Sequence, residues 1–290
     1  MIPPDAVHPP LRQVRAIIER ALDEDIGAGD VTTDLSVPAG QISRAALLAK
    51  QPGVLCGGRV FAETLRMVDP AVAVDGLLPD GARVDPGAVV ARVQGPTRAL
   101  LTAERTALNF VQRLSGIATT TAAFADRLRG LPVRLVDTRK TTPGLRVLEK
   151  YAVRVGGGHN HRFNLADAVL LKDNHLAALR SRGMDLASAI RTIRERVPHT
   201  MRVEVEVTGL AQIDDALAGG ADIVLLDNMS CADMREAVRR IGARALTECS
   251  GNVTLDTVRE RAETGVDLIS AGALTHSARA LDLSLELDLG

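Results

Sequence analysis

The chain has 290 residues, of which 46% are hydrophobic and 24% charged, as in an ordinary globular protein with a sizeable core. Its formal net charge of −1 argues against a general nucleic-acid binder, and no apolar run approaches the length of a membrane span. With no Trp, one Tyr and four Phe, the core must be aliphatic, which suits the interior of a parallel sheet or barrel.

The first part of the chain, up to residue 115, mixes helical and strand-like segments. Residues 11–25 carry apolar side chains at helical spacing, and short strand-like runs with Pro-Gly and Asp-Gly turns follow. Residues 102–129 return to helical spacing, with a predicted break near Ser115-Gly116. The pattern predicts an α+β domain over residues 1–115, and we expect the tail 273–290 to pack back on it.

From about residue 133 onwards, strand-like runs alternate with amphipathic helical segments. We predict seven strands: "VRLVDT", "AVRV", "AVLLK", "RVEVEV", "DIVLLD", "LTECS" and "DLISAG". Polar residues end the later strands at intervals of 21, 23 and 20 residues (Glu206, Asp227, Ser250, Ser270), which is the period of a βα unit and predicts a parallel sheet over residues 116–272. An open doubly wound sheet and a closed barrel are both consistent with this alternation of strands and helices. We favour a barrel, because barrels place reactive residues at the C-terminal ends of their strands.

Positive charge is concentrated in the middle of the chain. Residues 101–180 hold 13 Lys and Arg against 6 Asp and Glu, and this stretch contains three of the chain's four lysines. Solvated helix faces would explain the excess of positive charge, and so would a pocket for a small, highly anionic ligand. The rarity of lysine favours the pocket, since the few that occur are expected where a compact point charge is needed.

Cationic residues follow two of the predicted strands. Thr138, Arg139 and Lys140 come directly after "VRLVD", where Arg offers a planar fork and Lys a point charge to a carboxylate or phosphate. Lys172 ends "AVLLK", where it is either an anion-binding ammonium or a Schiff-base nucleophile. The alternatives are a basic surface turn for the first group and an ordinary rim lysine for the second.

A triple glycine precedes the segment "HNHR". His159 and His161 alternate along the chain and suggest a transition-metal site, but zinc needs a third ligand, and no recognisable pattern nearby supplies one. The glycines allow the backbone to approach a ligand closely. His161 and Arg162 are then candidate anion donors.

Acidic residues end two adjacent predicted strands. Glu206 and Asp227 point toward the same rim, and carboxylates within a cationic pocket suit ribose hydroxyls and a Mg²⁺ ion bridged to substrate phosphates. Glu204 has the same strand parity as Glu206, so alternation alone does not distinguish the two; pairing with core arginines is a purely structural explanation for Glu204.

Small residues end the last two predicted strands. "SGN" and "SAG" lead into helices, and phosphate sites in barrels favour the final two loops because exposed backbone N–H groups bind anions there. Such turns are common individually. Their succession predicts a phosphate site formed by Ser250, Gly251, Asn252, Ser270, Ala271 and Gly272.

The stretch "DTRKTTPGLRVLEKYAVRVGGGHNHRFNLADAVLLKDNH" closely resembles the signature of the quinolinate phosphoribosyltransferases, also called nicotinate-nucleotide diphosphorylases (carboxylating). Supporting matches are "ALDEDIGAGDVTTD", "AERTALNFVQRLSGIAT" and "VEVEV…LLDN…SGN…SAGALTHS", and together the matches span most of the chain. Cys56 and Cys249 stand where smaller or less reactive residues are expected, and neither belongs to the charged set.

The resemblance implies an N-terminal α/β sandwich packed with an irregular α/β barrel in a homodimer. The strand count above makes the predicted parallel barrel seven-stranded. It implies transfer of phosphoribosyl from 5-phosphoribosyl 1-diphosphate to quinolinate with Mg²⁺ and loss of CO₂, giving nicotinate mononucleotide and diphosphate for de novo NAD biosynthesis. By motif match, Arg105 would reach the partner's active site, and Lys140 would meet the donor beside Thr138. The quinolinate carboxylates would be held by Arg139, His161, Arg162 and Lys172.

The same match gives the remaining roles. Glu206 and Asp227 would contact ribose and metal, and the 21-residue gap from "VEVEV" to "LLDN" selects Glu206 over Glu204. The segments 250–252 and 270–272 would bind the 5-phosphate. Lys140, Lys172, Glu206 and Asp227 are the catalytic candidates.

Three other functions stay open at this level. They are a Schiff-base aldolase using Lys172, an anion-binding protein without catalysis, and a transferase acting on nicotinate, which is disfavoured because five cations exceed what one carboxylate requires. Cys56, Cys231 and Cys249 have no disulfide or metal spacing, and the N-terminus lacks a signal-peptide pattern. We therefore expect a cytoplasmic protein that contacts neither nucleic acid nor membrane.

Overall fold

The computed structural model describes residues 8–288 of the chain, which fall into two compact units. The first unit contains the N-terminal residues up to Ala122, the segment Thr141–Gly157 and the C-terminal residues from Leu274. The second contains Ala123–Lys140 and Gly158–Ala273. The first residues of the chain, which the signal-peptide expectation concerns, lie outside the described range.

An antiparallel sheet forms the centre of the first unit. Its four strands run in the order β12-β1-β5-β3, and a separate two-stranded ladder joins β2 to β4. Alternate residues of β1, including Ala45, Leu47 and Ala49, are buried against the aliphatic core, as one-sided burial of a strand requires. The strands are β1 (Ile42–Ala49), β2 (Gly53–Val54), β3 (Ala73–Asp75), β4 (Arg83–Val84), β5 (Val89–Pro96) and β12 (Leu283–Asp288).

Two helices of this unit, α3 and α4, contribute side chains to the core of the sheet. The predicted helix at residues 11–25 is confirmed as α1, which buries Val14, Ile17, Ile18 and Leu22 at helical spacing. The helices of this unit are α1 (Leu11–Ile26), α2 (Val31–Ser36), α3 (Gly58–Val68), α4 (Thr97–Arg127), which continues into the second unit, and α5 (Arg146–Val155). The predicted division between residues 115 and 116 falls inside α4.

The prediction of a helix break near Ser115-Gly116 is wrong, because α4 is continuous over 31 residues. Ser115 turns its hydroxyl to the backbone of Cys56, accepting from its N–H at 2.9 Å and donating to its carbonyl at 3.1 Å. A Cβ on Gly116 would lie 2.0 Å from the carbonyl oxygen of Arg279. The two small residues therefore permit close packing of neighbouring backbone rather than ending the helix.

The predicted strand "AVRV" is also wrong, since these residues form the last turn of α5. Leu148, Ala152 and Val155 are buried at helical spacing, and Tyr151 and Val153 are buried between them. A helix buried on nearly all sides carries a short continuous apolar run, which periodicity alone does not distinguish from a buried strand.

The second unit is built on one parallel sheet of six strands rather than the seven predicted. The strand order is β6-β11-β10-β9-β8-β7, and every neighbouring pair is parallel. Beyond β6, His159 forms an isolated parallel bridge with Val136. Closure into a barrel stays a prediction, because no ladder joins β6 to β7 within residues 8–288. The strands are β6 (Arg134–Val136), β7 (Val169–Leu171), β8 (Val203–Val207), β9 (Ile223–Asp227), β10 (Leu246–Ser250) and β11 (Leu268–Ser270).

Helices alternate with these strands, which confirms the predicted βα rhythm. The side chain of Ser230 accepts a hydrogen bond from the Asp233 N–H at the start of α9, as its Ser-x-x-Asp sequence indicates. No helix within the described part of the chain combines the length and hydropathy of a membrane span. The helices are α6 (Asp173–Arg180), α7 (Leu186–Arg194), α8 (Ile213–Gly219), α9 (Cys231–Ile241) and α10 (Val258–Ala262), followed by α11 (Ala273–His276).

Candidate active site

A cavity of about 530 Å³ opens at the C-terminal ends of the parallel strands of the second unit. In a parallel sheet these ends meet along one edge, where loops with different side chains converge. The lining contains twelve predicted site residues: Thr138, Arg139, Lys140, His161, Arg162, Lys172, Glu206, Asp227, Ser250, Gly251, Asn252 and Ser270.

The residues after β6 form one wall and are tied to the segment after the triple glycine. Asp137 is fully buried, and its carboxylate accepts hydrogen bonds from the His161 N–H at 2.8 Å and from the Asn160 side chain at 2.6 Å. The Thr138 hydroxyl accepts the Lys140 N–H at 3.0 Å. The DTRK turn and the HNHR segment, whose first residues are 22 positions apart in sequence, are thus joined by one buried carboxylate, that of Asp137.

His161 contacts two carboxylates that the sequence did not pair with it. Its Nε2 lies 3.2 Å from Glu204 and 3.5 Å from Glu248, whose exposures are only 2% and 1%. Its Nδ1 accepts the Arg162 backbone N–H at 2.7 Å, an arrangement that places a ring proton on Nε2, toward the two carboxylates. The structure therefore pairs Glu204 with a histidine rather than with core arginines.

The ionisation of Glu248 is opposed by its buried surroundings and by the neighbouring Glu204. Burial, reinforced by the charge of Glu204, raises the pKa of Glu248 to about 7, although His161 and Lys172 act in the opposite direction. His161, Glu204 and Glu248 offer three ligand atoms within 4.8 Å of one another. The third ligand that a metal site at His161 requires thus comes from distant strands, and His159 instead bridges β6 through its backbone.

The guanidinium groups of Arg139 and Arg162 both line the cavity, and the charge of Arg139 affects the pKa of Arg162. The pKa of Arg162 is lowered by burial and by the positive charge of Arg139. Arg162 also donates to the Ala168 carbonyl at 3.1 Å, which fixes the side chain along the wall. Two like charges held together in a partly buried cavity favour a bound anion, because an anion relieves their repulsion.

Lys172 and Glu206 form an ion pair across the ends of β7 and β8. The ammonium lies 3.1 Å from one oxygen of Glu206, and the Asp173 N–H approaches the other at 3.5 Å. The Lys172 side chain is 46% exposed, so its ammonium is open to the cavity. Glu204 and Glu206 face the same side of β8, with Glu206 nearer the strand end and lining the cavity.

The carboxylates at the ends of β8 and β9 fit the requirements of Mg²⁺. Glu206 and Asp227 present only oxygen atoms, line the same cavity and lie on strands that pair directly. Mg²⁺ binds one or two carboxylates and completes its shell with water and substrate phosphates. The cluster of His161 with two glutamates includes a nitrogen ligand, which suits transition metals better.

The turn after β10 forms the far side of the cavity. Gly251 has φ +92° and Asn252 φ +49°, so the backbone after Ser250 turns sharply. Ala271 does not line the cavity, and its N–H donates to the Val136 carbonyl at 3.1 Å, which leaves that N–H occupied within the sheet. Gly272 is likewise absent from the lining.

Arg105 is exposed on α4 in the first unit and is absent from this lining. Four further residues line the cavity without having been selected from the sequence: Leu170, Leu225, Asn228 and Glu248. Strand parity is a signal for Glu248, which lies two residues before Ser250 in β10 and therefore faces the same way. Asn228 directly follows Asp227, where its proximity to a candidate carboxylate is a further signal.

Two family models match the chain. Residues 30–115 match the quinolinate phosphoribosyl transferase N-terminal domain, and residues 117–286 match the C-terminal domain. A nicotinate-nucleotide pyrophosphorylase [carboxylating] of Mycobacterium leprae is 45% identical over 282 residues, covering 94% of this chain and 96% of the relative. A quinolinate phosphoribosyltransferase [decarboxylating] 1b of Nicotiana tabacum is 40% identical over 295 residues, covering 96% of this chain and 83% of the relative.

Solved structures agree with these sequence matches. The crystal structure of NadC from Streptococcus pyogenes has a TM-score of 0.92 and 42% identity, covering 97% of this chain and 99% of that one. A nicotinate-nucleotide pyrophosphorylase from Francisella tularensis has a TM-score of 0.89 and 38% identity, covering 96% and 97%.

Proposed function

This chain belongs to the quinolinate phosphoribosyl transferase family, and we propose that it transfers phosphoribosyl from 5-phosphoribosyl 1-diphosphate to quinolinate with loss of CO₂. The products are nicotinate mononucleotide and diphosphate, as required for de novo NAD synthesis. One observation carries the proposal beyond family membership: Arg139, Arg162 and Lys172, which come from separate segments, line a single cavity. Its cations suit two negatively charged reactants that would otherwise repel each other.

Quinolinate carries two adjacent carboxylates. Arg139 and Arg162 offer planar forks to one carboxylate each, and the exposed ammonium of Lys172 adds a point charge. His161 has both ring nitrogens engaged within the protein, so its part in binding is to shape the wall beside Arg162. A substrate with one carboxylate would leave part of this cationic set unpaired.

The donor occupies the opposite side of the cavity. We assign its 5-phosphate to the turn Ser250-Gly251-Asn252 together with Ser270, where small residues allow close approach of backbone N–H groups. Lys140 meets its diphosphate, and Glu206 and Asp227 accept hydrogen bonds from ribose hydroxyls.

The reaction needs no general base. The neutral pyridine nitrogen attacks the anomeric carbon while the bond to diphosphate breaks, and the adjacent carboxylates of Glu206 and Asp227 favour the positive charge that develops on ribose. Ribosylation makes the ring nitrogen cationic, so the ring accepts the electron pair left when CO₂ departs. The carbon that carried the carboxylate then takes up a proton.

We propose Mg²⁺ as the cofactor, which Glu206 and Asp227 would hold. When bound, the ion would neutralise charge on the departing diphosphate. The observation that supports it is the all-oxygen donor pair lining the cavity.

We further propose a homodimer in which Arg105 enters the partner's cavity. Arg105 is exposed on α4 rather than packed within its own unit. The same unit exposes Val31, Leu35 and Ile42, apolar side chains that a partner subunit would cover.

The cytoplasm is the proposed compartment. Cys56, Cys231 and Cys249 are all free thiols, as is usual in a reducing environment. Fractionation of cells producing the full chain tests this directly.

One incubation tests the proposed reaction. Purified protein with carboxyl-labelled quinolinate, 5-phosphoribosyl 1-diphosphate and Mg²⁺ is expected to release labelled CO₂ and nicotinate mononucleotide in equal amounts. Nicotinate in place of quinolinate is the matched control, and we expect little nucleotide from it. Absence of nucleotide, or nucleotide formed without CO₂, would refute the proposal.

A further inference from the structure

Two residues at the phosphate side of the cavity have an unusual backbone. Asn228, with φ +53°, and Asn252, with φ +49°, are the two non-glycine residues with positive φ among residues 8–288. Left-handed conformations are unfavourable for residues with a Cβ, and Asn tolerates them better than most. Such backbone strain is concentrated at functional sites, where the surrounding structure must hold it in place.

Asn228 forms hydrogen bonds both to Asp227, which we assign to the donor's ribose, and to the 250–252 turn, which we assign to its 5-phosphate. Its backbone N–H donates to the Ser250 carbonyl at 3.0 Å. Its side-chain Nδ2 donates to the Asp227 carboxylate at 2.9 Å, and its Oδ1 accepts from Nδ2 of Asn252 at 3.2 Å. One neutral amide thus joins the carboxylate at the end of β9 to the turn at the end of β10.

Gly251 lies directly against this amide. A Cβ added to Gly251 would lie 2.2 Å from Oδ1 of Asn228, which is far inside van der Waals contact. The absence of a side chain at Gly251 is therefore a condition for the position of the Asn228 side chain. The 250–252 turn and the Asn228 amide are therefore in close steric contact, and any side chain at position 251 would displace the amide.

We propose that Asn228 is a positioning residue for the phosphoribosyl donor, holding the Asp227 carboxylate and the 250–252 turn at a fixed separation. This inference rests on the proposed function, because the donor is the ligand whose ribose and 5-phosphate would span these two groups. A carboxamide is suited to the task, since it donates to a carboxylate and accepts from a second amide at the same time. Neither an aspartate nor a glycine provides both.

Two variants distinguish the contribution of the Asn228 side chain from that of its backbone. Asn228→Gly keeps the left-handed conformation and the N–H bond to Ser250 but removes the amide. Asn228→Asp keeps the acceptor for Asn252 but places a second carboxylate beside Asp227. The control Ser230→Ala removes the N-cap of α9 two residues further along, outside the cavity lining.

The measurements are donor affinity by calorimetry without quinolinate, KM for each substrate, and the unfolding temperature. For Asn228→Gly we expect about a tenfold weaker donor affinity, since two hydrogen bonds of modest net strength are lost, and a quinolinate KM within about twofold of the wild type. Asn228→Asp should weaken the donor further, because the added charge repels its phosphates. Ser230→Ala should lower the unfolding temperature and leave donor affinity unchanged.

Unchanged donor affinity in a normally folded Asn228→Gly would overturn the inference, and so would equal increases in KM for both substrates. If Asn228→Gly does not fold, the same donor titration on Asn228→Asp decides the question. If the wild type forms no nucleotide, the proposed function fails, whereas calorimetric binding of the donor still tests Asn228 by itself.

Discussion

Replacing Glu248 with glutamine should change how stability depends on pH. The pKa of this carboxyl rises from 4.5 to about 7 through burial and the neighbouring Glu204, with His161 and Lys172 opposing the rise. Below about pH 4.5 the Glu248 carboxyl is protonated in both the folded and the unfolded chain. Between there and pH 7 the unfolded chain releases its proton while the folded chain keeps it, so the free energy of unfolding falls as pH rises.

The size of the effect follows from the pKa values. Ionising an acid whose pKa lies near 7 rather than 4.5 costs roughly 3 kcal/mol once the pH is well above 7. Glu248→Gln removes that cost and provides an N–H for Glu204. For a chain of this size, the variant should unfold roughly 5–10 °C above the wild type at pH 8.5, with a much smaller difference at pH 5.

Far-UV circular dichroism during heating is the suitable assay, since the chain has no Trp for fluorescence. The control Glu236→Gln removes a half-buried carboxylate whose hydrogen bonds to Arg239 and Arg240 lower its pKa to about 2. Its stabilising effect is lost only as the pH falls below the usual range of a glutamate, so it should not change the pH slope between 5 and 8.5. An equal pH slope in wild type and Glu248→Gln would refute the reasoning.

Three further predictions concern activity and packing. Lys172→Ala should lose most nucleotide formation in a turnover assay while its unfolding temperature stays unchanged. The control Lys50→Ala, which changes an ion-paired lysine of the first unit, should retain full activity. Wild-type turnover in Lys172→Ala would contradict the proposed role of Lys172. Mixing inactive Arg105→Ala with inactive Lys172→Ala subunits should restore part of the activity if the cavity is shared across a dimer, and no rescue would argue against sharing. Gly116→Ala should destabilise by about 1–3 kcal/mol or more in thermal unfolding, because its Cβ would lie 2.0 Å from a backbone carbonyl. Gly40→Ala, with nothing within 4 Å of the added Cβ, should be neutral, and similar stability of the two variants would contradict the packing argument.

Most helices and strands could be predicted from the periodicity of apolar residues. The two wrong assignments, the strand "AVRV" and the helix break at Ser115-Gly116, have a common cause. The helices, α1 among them, were predicted because one face of each is buried and the other is exposed. The strands of the second unit were predicted because each is a short, nearly continuous apolar run that is buried on both faces. "AVRV" and Ser115-Gly116 were misassigned because their environment is decided by distant segments. The backbone at Arg279 explains the small residues of α4, and nothing near Gly116 in sequence indicates that contact.

Contacts with distant segments also limited what the sequence predicted about the cavity. Residues at the ends of strands were predictable as a group, since parallel strands bring those ends together. The partners of His161 were not, because Glu204 and Glu248 lie on strands far along the chain and face it from a deeper layer. Pairing across a sheet depends on register, which side-chain alternation does not specify.

The order of the strands has a consequence for biosynthesis. β1 pairs with β12, and β6 pairs with β11, so each sheet joins an early strand to a late one. In a nascent chain, the edge of β1 that pairs with β12 therefore stays unpaired until β12 has been synthesised. Since β11 is synthesised before β12, the unit that begins later in the chain can complete its sheet first.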